Sequence, residues 1–135
     1  MHGKRVLIAD DDAFYRKRIA DIFKNCGIGY TMVDSGVDLV KELLARPEEY
    51  ACILTDIYME AMSGLEAASM IRARFEDLPI VVMTGDDCLE TEIDARRIGI
   101  SYYLKKPFGK QELLAVISRF APDLAAKGHV ENSHC

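Results

Sequence analysis

The chain has 135 residues, half of them apolar and 29% charged, with a net charge of −5, which is the size and make-up of one domain with a single filled core. No stretch forms a basic stripe, so binding to nucleic acid through counterion release has little to work with, and no apolar run approaches the roughly 20 residues that span a bilayer. Met1-His2-Gly3-Lys4-Arg5 precedes only four apolar residues, too few for a signal-peptide core, and no two cysteines show CxxC spacing; the expected setting is the cytoplasm, with no membrane partner.

Short apolar runs alternate with segments of helical period, the pattern of a βα repeat. A first strand is expected at about 4–9 and a helix at about 13–26, with Phe14, Ile19, Ile22 and Phe23 on one face and Asn25-Cys26-Gly27 at its end. The second strand, about 28–33, opens weakly at Gly27-Ile28-Gly29-Tyr30, and Asp34-Ser35-Gly36 supplies N-cap chemistry for a helix at about 36–45. Leu39, Val40, Leu43 and Leu44 give that helix its stripe, and Pro47 lies beyond its end. Strand three is expected at about 51–55, with Cys52 inside it as a buried thiol. After a loop with Ser63-Gly64 comes a helix at about 64–75 carrying Leu65, Ala68 and Ile71. Pro79 opens strand four, about 80–83. The next helix, about 87–98, is thin in apolar residues, with Leu89, Ile93 and Ile98 set among charges, and Gly99 ends it. Strand five is expected at about 101–105 and a last helix at about 109–120, stopped by Pro122.

Five strands alternating with five helices predict an α/β fold, a doubly wound five-stranded parallel sheet flanked by five helices in a three-layer sandwich with right-handed crossovers. Residues 1–120 form the expected domain and 121–135, without periodicity, a C-terminal tail or linker stub.

The strand ends carry the chemistry. Val6-Leu7-Ile8-Ala9 stops at Asp10-Asp11, Cys52-Ile53-Leu54-Thr55 at Asp56, Ile80-Val81-Val82-Met83 at Thr84, and Tyr102-Tyr103-Leu104-Lys105 at Lys106. In a parallel sheet these ends share one edge, where open α/β sheets bind ligands. Asp56 is the candidate nucleophile, able to form an acyl phosphate. Crowded carboxylates call for a cation, and Mg²⁺ suits oxygen ligands while needing only one or two protein carboxylates. Lys106 supplies a positive charge and Thr84 a hydroxyl donor for a phosphoryl oxygen. Singly, each residue has an ordinary reading as a helix cap, a turn or a solvated lysine. Their joint placement at four strand ends carries the functional one.

These pieces resemble the receiver domain of two-component response regulators across about residues 4–120. The matching residues are Val6 to Asp11, Leu54-Thr55-Asp56 with Met59 and Gly64 downstream, Val82-Met83-Thr84-Gly85, and Tyr103-Leu104-Lys105-Lys106-Pro107-Phe108. The resemblance implies a flavodoxin-like sandwich with strand order 2-1-3-4-5. It implies that Asp56 accepts a phosphoryl group from a phosphohistidine on a sensor histidine kinase or histidine phosphotransfer protein. It further implies Mg²⁺ held by Asp10, Asp11, Asp56 and the backbone carbonyl of Tyr58, a Lys106 that pairs with the phosphoryl group, and a cis Lys106-Pro107 bond. Thr84 and Tyr103 are the implied switch pair. The signal is expected to leave through the helix at 87–98, strand five and the last helix, toward a downstream protein target or an output domain. On this reading the chain is a signalling phosphoacceptor that phosphorylates and dephosphorylates itself, not an enzyme. The loop Met59-Glu60-Ala61-Met62-Ser63-Gly64 departs from the family in lacking its usual proline, and Glu60 adds a negative charge near the metal.

Three other readings compete. An aspartate-nucleophile phosphatase of the haloacid dehalogenase type would use Asp10 in Asp10-Asp11-Asp12, with Thr84 and Lys106 as later motif residues, but it leaves Asp56 idle and lacks an evident cap domain. A pseudo-receiver that only docks partners has no need of a full set of site residues. A flavodoxin-like cofactor binder would have its phosphates repelled by Asp10-Asp11-Asp12.

Overall fold

In the computed structural model, which describes residues 4–124, strand and helix alternate throughout. The strands are β1 (Arg5–Ala9), β2 (Tyr30–Val33), β3 (Tyr50–Asp56), β4 (Ile80–Thr84) and β5 (Tyr102–Lys105). The helices are α1 (Ala13–Cys26), α2 (Gly36–Ala45), α3 (Gly64–Arg74), α4 (Leu89–Ile98) and α5 (Lys110–Phe120). All strand pairs are parallel, in the order β2-β1-β3-β4-β5. The strand order reverses at β1, so the crevice beside β1 and β3 is the topological switch point of the sheet. The fold is the flavodoxin-like sandwich that the resemblance implied.

Successive strand residues point to opposite faces. Val6, Ile8, Cys52, Leu54, Val81, Met83 and Leu104 pack with α1 and α5. Leu7, Ala9, Ile53, Ile80, Val82 and Tyr103 pack with α2, α3 and α4. Covered on both sides, the strands read as continuous apolar runs, and Cys52 is a buried free thiol. No helix among the described residues is long and apolar enough to cross a membrane.

Local sequence sets most helix ends. Asp12 accepts from the Phe14 N–H, Ser35 from Asp38, and Ser63 forms a reciprocal capping box with Glu66. Gly27, at φ 70°, closes α1 in the left-handed conformation. The α4 N-cap, Cys88, makes no side-chain cap bond, and Ala95 is the one buried residue of that helix.

Several expectations shift. Phe14 is 66% exposed and lies off the core face of α1. At 100° per residue it stands about 140° from Ile19, whereas Tyr15 stands about 40° away and packs against the core. Leu44, Leu89 and Ile93 are likewise exposed. β2 begins at Tyr30, although the Gly29 carbonyl already accepts from Val6 N–H at 3.0 Å. Pro47–Glu49 forms a short 3-10 turn leading directly into β3. β3 and β4 each run one residue further than expected, so Asp56 and Thr84 close their strands. Ala121 and Leu124 are buried against the α1–α5 side of the core; 125–135, the rest of the expected tail, lie outside the described residues.

The segment between β3 and α3 folds back tightly. Gly64 N–H donates to the Ile57 carbonyl at 2.7 Å. A Cβ on Gly64 would collide with the Asp56 carbonyl oxygen and lie 2.8 Å from its carbon. Backbone at the site therefore demands glycine there. Gly64→Ala should lower stability by about 3 kcal/mol, the upper range for overpacking against a rigid neighbour. Urea unfolding checks this, and an unchanged midpoint would contradict the close approach.

Candidate functional site

The sheet register assembles the site. Ala9 is level with Thr55, Asp56 with Met83, and Thr84 with Lys105. The next residues on adjoining strands, Asp10, Asp56, Thr84 and Lys106, therefore meet at one edge. Ligand oxygens of Asp10, Asp11 and Asp56 all lie within 4.8 Å of one another. Asp10 is wholly buried, Asp56 is 8% exposed, and Asp11 faces solvent.

Each carboxylate is fixed by the chain around it. Asp10 Oδ1 accepts from the Asp12 N–H at 2.9 Å, and Oδ2 accepts from Lys106 Nζ at 2.9 Å. Asp56 Oδ1 accepts from the Ile57 N–H at 3.0 Å and lies 3.5 Å from Lys106 Nζ. Both contacts fall on Oδ1, so Oδ2 is the oxygen available for attack on an electrophile. Lys106 is placed by its own backbone, whose N–H donates to the Thr84 carbonyl at 2.8 Å; the Lys106-Pro107 bond is cis, as the resemblance implied. Lys106 Nζ also sits 4.1 Å from the ring centroid of Tyr15, a cation–π contact. Sequence reasoning missed Tyr15. The signal was available, because Tyr15 stands at i−4 from Ile19 and i−7 from Ile22 on the core face of α1.

Burial pushes the Asp56 carboxyl up to about 6 from 3.8, and the Asp10 charge adds to this while Lys106 opposes it. Lys106 has the mirror arrangement. Burial works against its charge, but Asp10 and Asp56 together raise it above the ordinary lysine value. The ammonium thus stays charged, and the carboxylates repel one another around it.

Thr84 is fully buried, and its Oγ1 accepts from the Asp86 N–H at 3.1 Å. Because Val82 is level with Tyr103, Thr84 and Tyr103 lie on the same sheet face, the one that α4 covers. Tyr103 is 8% exposed, and its hydroxyl has no hydrogen-bond partner among the described residues. The Tyr103 ring, half of the implied switch pair, is thus inside in this arrangement. Tyr58 is half exposed, and its hydroxyl donates to Asp86 Oδ2 at 2.6 Å; that bond holds the phenol above its ordinary pKa. Glu60 and Ala61 sit in a three-residue turn, with the Met62 N–H donating to the Glu60 carbonyl at 2.8 Å and Ala61 at φ 66°.

The donor set is all oxygen and negative, with one buried ammonium beside it, which fits a hard divalent cation and a phosphoryl group. A raised Asp56 pKa has a definite consequence for stability. The folded chain binds this proton more tightly than the unfolded chain, so ionisation disfavours folding. In chelator, wild-type stability should fall as pH rises from about 4 to about 6, and Asp56→Asn should remove that fall. Denaturant midpoints across this range test it; a wild-type–variant gap that is constant from pH 4 to pH 8 would contradict the mutual repulsion.

Comparison with known proteins agrees with this geometry. The family model for the response regulator receiver domain matches residues 6–118. The response regulator MprA of Mycobacterium leprae is 33% identical over 91% of this chain and 55% of its own length. The response regulator protein FleR of Pseudomonas aeruginosa is 32% identical over 87% of this chain and 24% of its own. The chain thus spans between a quarter and about half of these curated relatives. Among solved structures, the receiver domain of sensor histidine kinase PA1611 from Pseudomonas aeruginosa PAO1 superposes with a TM-score of 0.80 at 25% identity, covering 88% of this chain and 98% of that one. That structure has a magnesium ion coordinated in its active site cleft. Chemotaxis protein CheY4 of Vibrio cholerae shares the fold, with a TM-score of 0.81 at 21% identity over 88% of this chain and 99% of that one.

Proposed function

The chain belongs to the response regulator receiver domain family, a phosphoacceptor signalling module and not a classical enzyme, and from this premise we propose that Asp56 accepts a phosphoryl group from a phosphohistidine. The observation that carries the reading is the convergence of Asp10, Asp11 and Asp56 within 4.8 Å around Lys106, at the C-terminal ends of β1, β3 and β5.

Asp56 Oδ2 attacks phosphorus as the phosphohistidine N–P bond breaks. The new O–P bond makes an acyl phosphate, and the histidine nitrogen leaves with the electron pair of its old bond. Lys106 moves from its place between two carboxylates to pair with a phosphoryl oxygen. At rest Thr84 Oγ1 accepts from the Asp86 N–H; on phosphorylation the hydroxyl turns from that contact to donate its proton to a second phosphoryl oxygen. Asp10, Asp11, Asp56 and the backbone carbonyl of Tyr58 would hold Mg²⁺, whose charge offsets the repulsion between the incoming phosphoryl group and the acidic site. The magnesium in the related kinase receiver supports this choice of ion.

The donor is a sensor histidine kinase or histidine phosphotransfer protein, acting in the cytoplasm. The phosphoryl group draws the Thr84 hydroxyl toward it, and α4, β5 and α5 change surface in response, biasing an equilibrium between two arrangements. A downstream protein target or an output domain reads that surface. The phosphatase alternative, with Asp10 as nucleophile, fits less well, because the Asp10 oxygens are committed to Asp12 and Lys106.

Two experiments test the reading. With acetyl phosphate and Mg²⁺, intact-mass analysis should show a phosphorylated fraction in wild type and none in Asp56→Asn; equal fractions would sink the assignment. Beryllofluoride with Mg²⁺, a stable phosphoryl mimic, should shift amide resonances of α4, β5 and α5. Shifts confined to α2 would rule out this output surface.

A further inference from the structure

Polar contacts hold α4 at its two ends, while its apolar support is thin. Leu89 and Ile93 are 68% and 40% exposed, and only Ala95 is buried. At the C-terminal end, Arg72 of α3 donates from Nε to the Gly99 carbonyl at 3.0 Å, and from Nη1 to the Phe75 and Glu76 carbonyls at 2.9 Å each. Three carbonyls on one guanidinium make that end a fixed point.

The N-terminal end is held differently. The Tyr58 hydroxyl donates to Asp86 Oδ2 at 2.6 Å and lies 3.3 Å from Thr91 Oγ1 in the first turn of α4. Asp86 is also bonded on two other sides. Its Oδ1 accepts from the Cys88 N–H at 2.9 Å, and its own N–H donates to Thr84 Oγ1 at 3.1 Å. One phenol therefore links the loop after Asp56 to the loop before α4, and through Asp86 to Thr84.

We propose that the Tyr58 hydroxyl is a releasable tether, a positioning group that holds Thr84 and the first turn of α4 in one resting arrangement. It rests on the reading of Asp56 as phosphoacceptor only for what releases it. When Thr84 Oγ1 turns toward a phosphoryl oxygen, it leaves the Asp86 N–H, and the Asp86 carboxylate loses the backbone anchor that aligns it with Tyr58. The first turn of α4 then comes free, and the helix swings about the end that Arg72 fastens. Tether and fixed point together give a direction to a motion that thin packing merely permits.

Tyr58→Phe tests this, because it keeps the ring and the backbone carbonyl and removes only the hydroxyl. Hydrogen exchange of the whole chain, without Mg²⁺ or any phosphoryl mimic, should be about fivefold faster at 86–92 in the variant and unchanged at 96–99, as expected for local loss of a hydrogen bond. Arg72→Gln should do the reverse, speeding 96–99 and sparing 86–92. The concentration of beryllofluoride giving half the α4 amide shift should fall by about fivefold in Tyr58→Phe, since less resting structure has to be undone. A merely structural role would not make switching easier. Exchange at 86–92 equal to wild type, a uniform rise along the chain, or an unchanged or higher half-effect concentration would each overturn the tether. If wild type itself forms no beryllofluoride adduct, the phosphoacceptor reading fails, while the exchange comparison still decides the tether.

Discussion

Like charges brought together by sheet register are the constraint from which the rest of this molecule follows. Three carboxylates within 4.8 Å set against the single ammonium of Lys106 leave two negative charges uncompensated. Neutral protein groups cannot remove that imbalance, and the backbone N–H groups of Asp12 and Ile57 only orient the oxygens. That excess of negative charge favours a bound cation. The site can relax by protonating Asp56, whose pKa burial and Asp10 already raise, or by binding a hard cation. Binding the cation would leave Asp56 ionised, the form in which a carboxylate can act as a nucleophile.

Holding such a site needs stiff walls, and the fold supplies them unevenly. β1, β3 and β4 are buried along nearly their whole length, and the helices nearest Asp10 and Asp56 begin with side-chain caps. Lys106 is set between carboxylates on one side and the Tyr15 ring on the other. Across β4 the character changes. α4 has no side-chain cap, one buried residue, and under its sheet face a Tyr103 hydroxyl without a partner among the described residues. Rigidity lies where the charges are held, and slack lies on the α4 side.

The loop between β3 and α3 joins the two regimes. It lacks the proline that would stiffen it, and it carries Ala61 in the left-handed region at φ 66°, a conformation that disfavours a residue with a Cβ. Gly64 anchors its far end against the Asp56 carbonyl, and Tyr58 reaches from it to the α4 side of the sheet. The loop is tight at its ends and strained in the middle.

Much of this was legible in the sequence because the deciding signals are local. Continuous apolar runs announced strands buried on both faces, and the residues ending those runs named Asp10, Asp11, Asp56, Thr84 and Lys106 before any geometry was known. Ser35 announced its helix by cap chemistry, and the thin stripe of α4 announced a weakly held element. Tertiary structure decided which side chains meet across long stretches of chain. It brought Tyr15 to Lys106, the Tyr58 hydroxyl to Asp86 and Thr91, and Arg72 to the Gly99 carbonyl. It also drew Ala121 and Leu124 into the core past the expected end of the domain. The physical reason is range. Strand period, caps and turn chemistry are set within a few residues, so composition reveals them. A contact between residues 27 or 28 apart in the chain exists only after the crossovers have set two loops side by side, and no local pattern encodes which pair will be in reach.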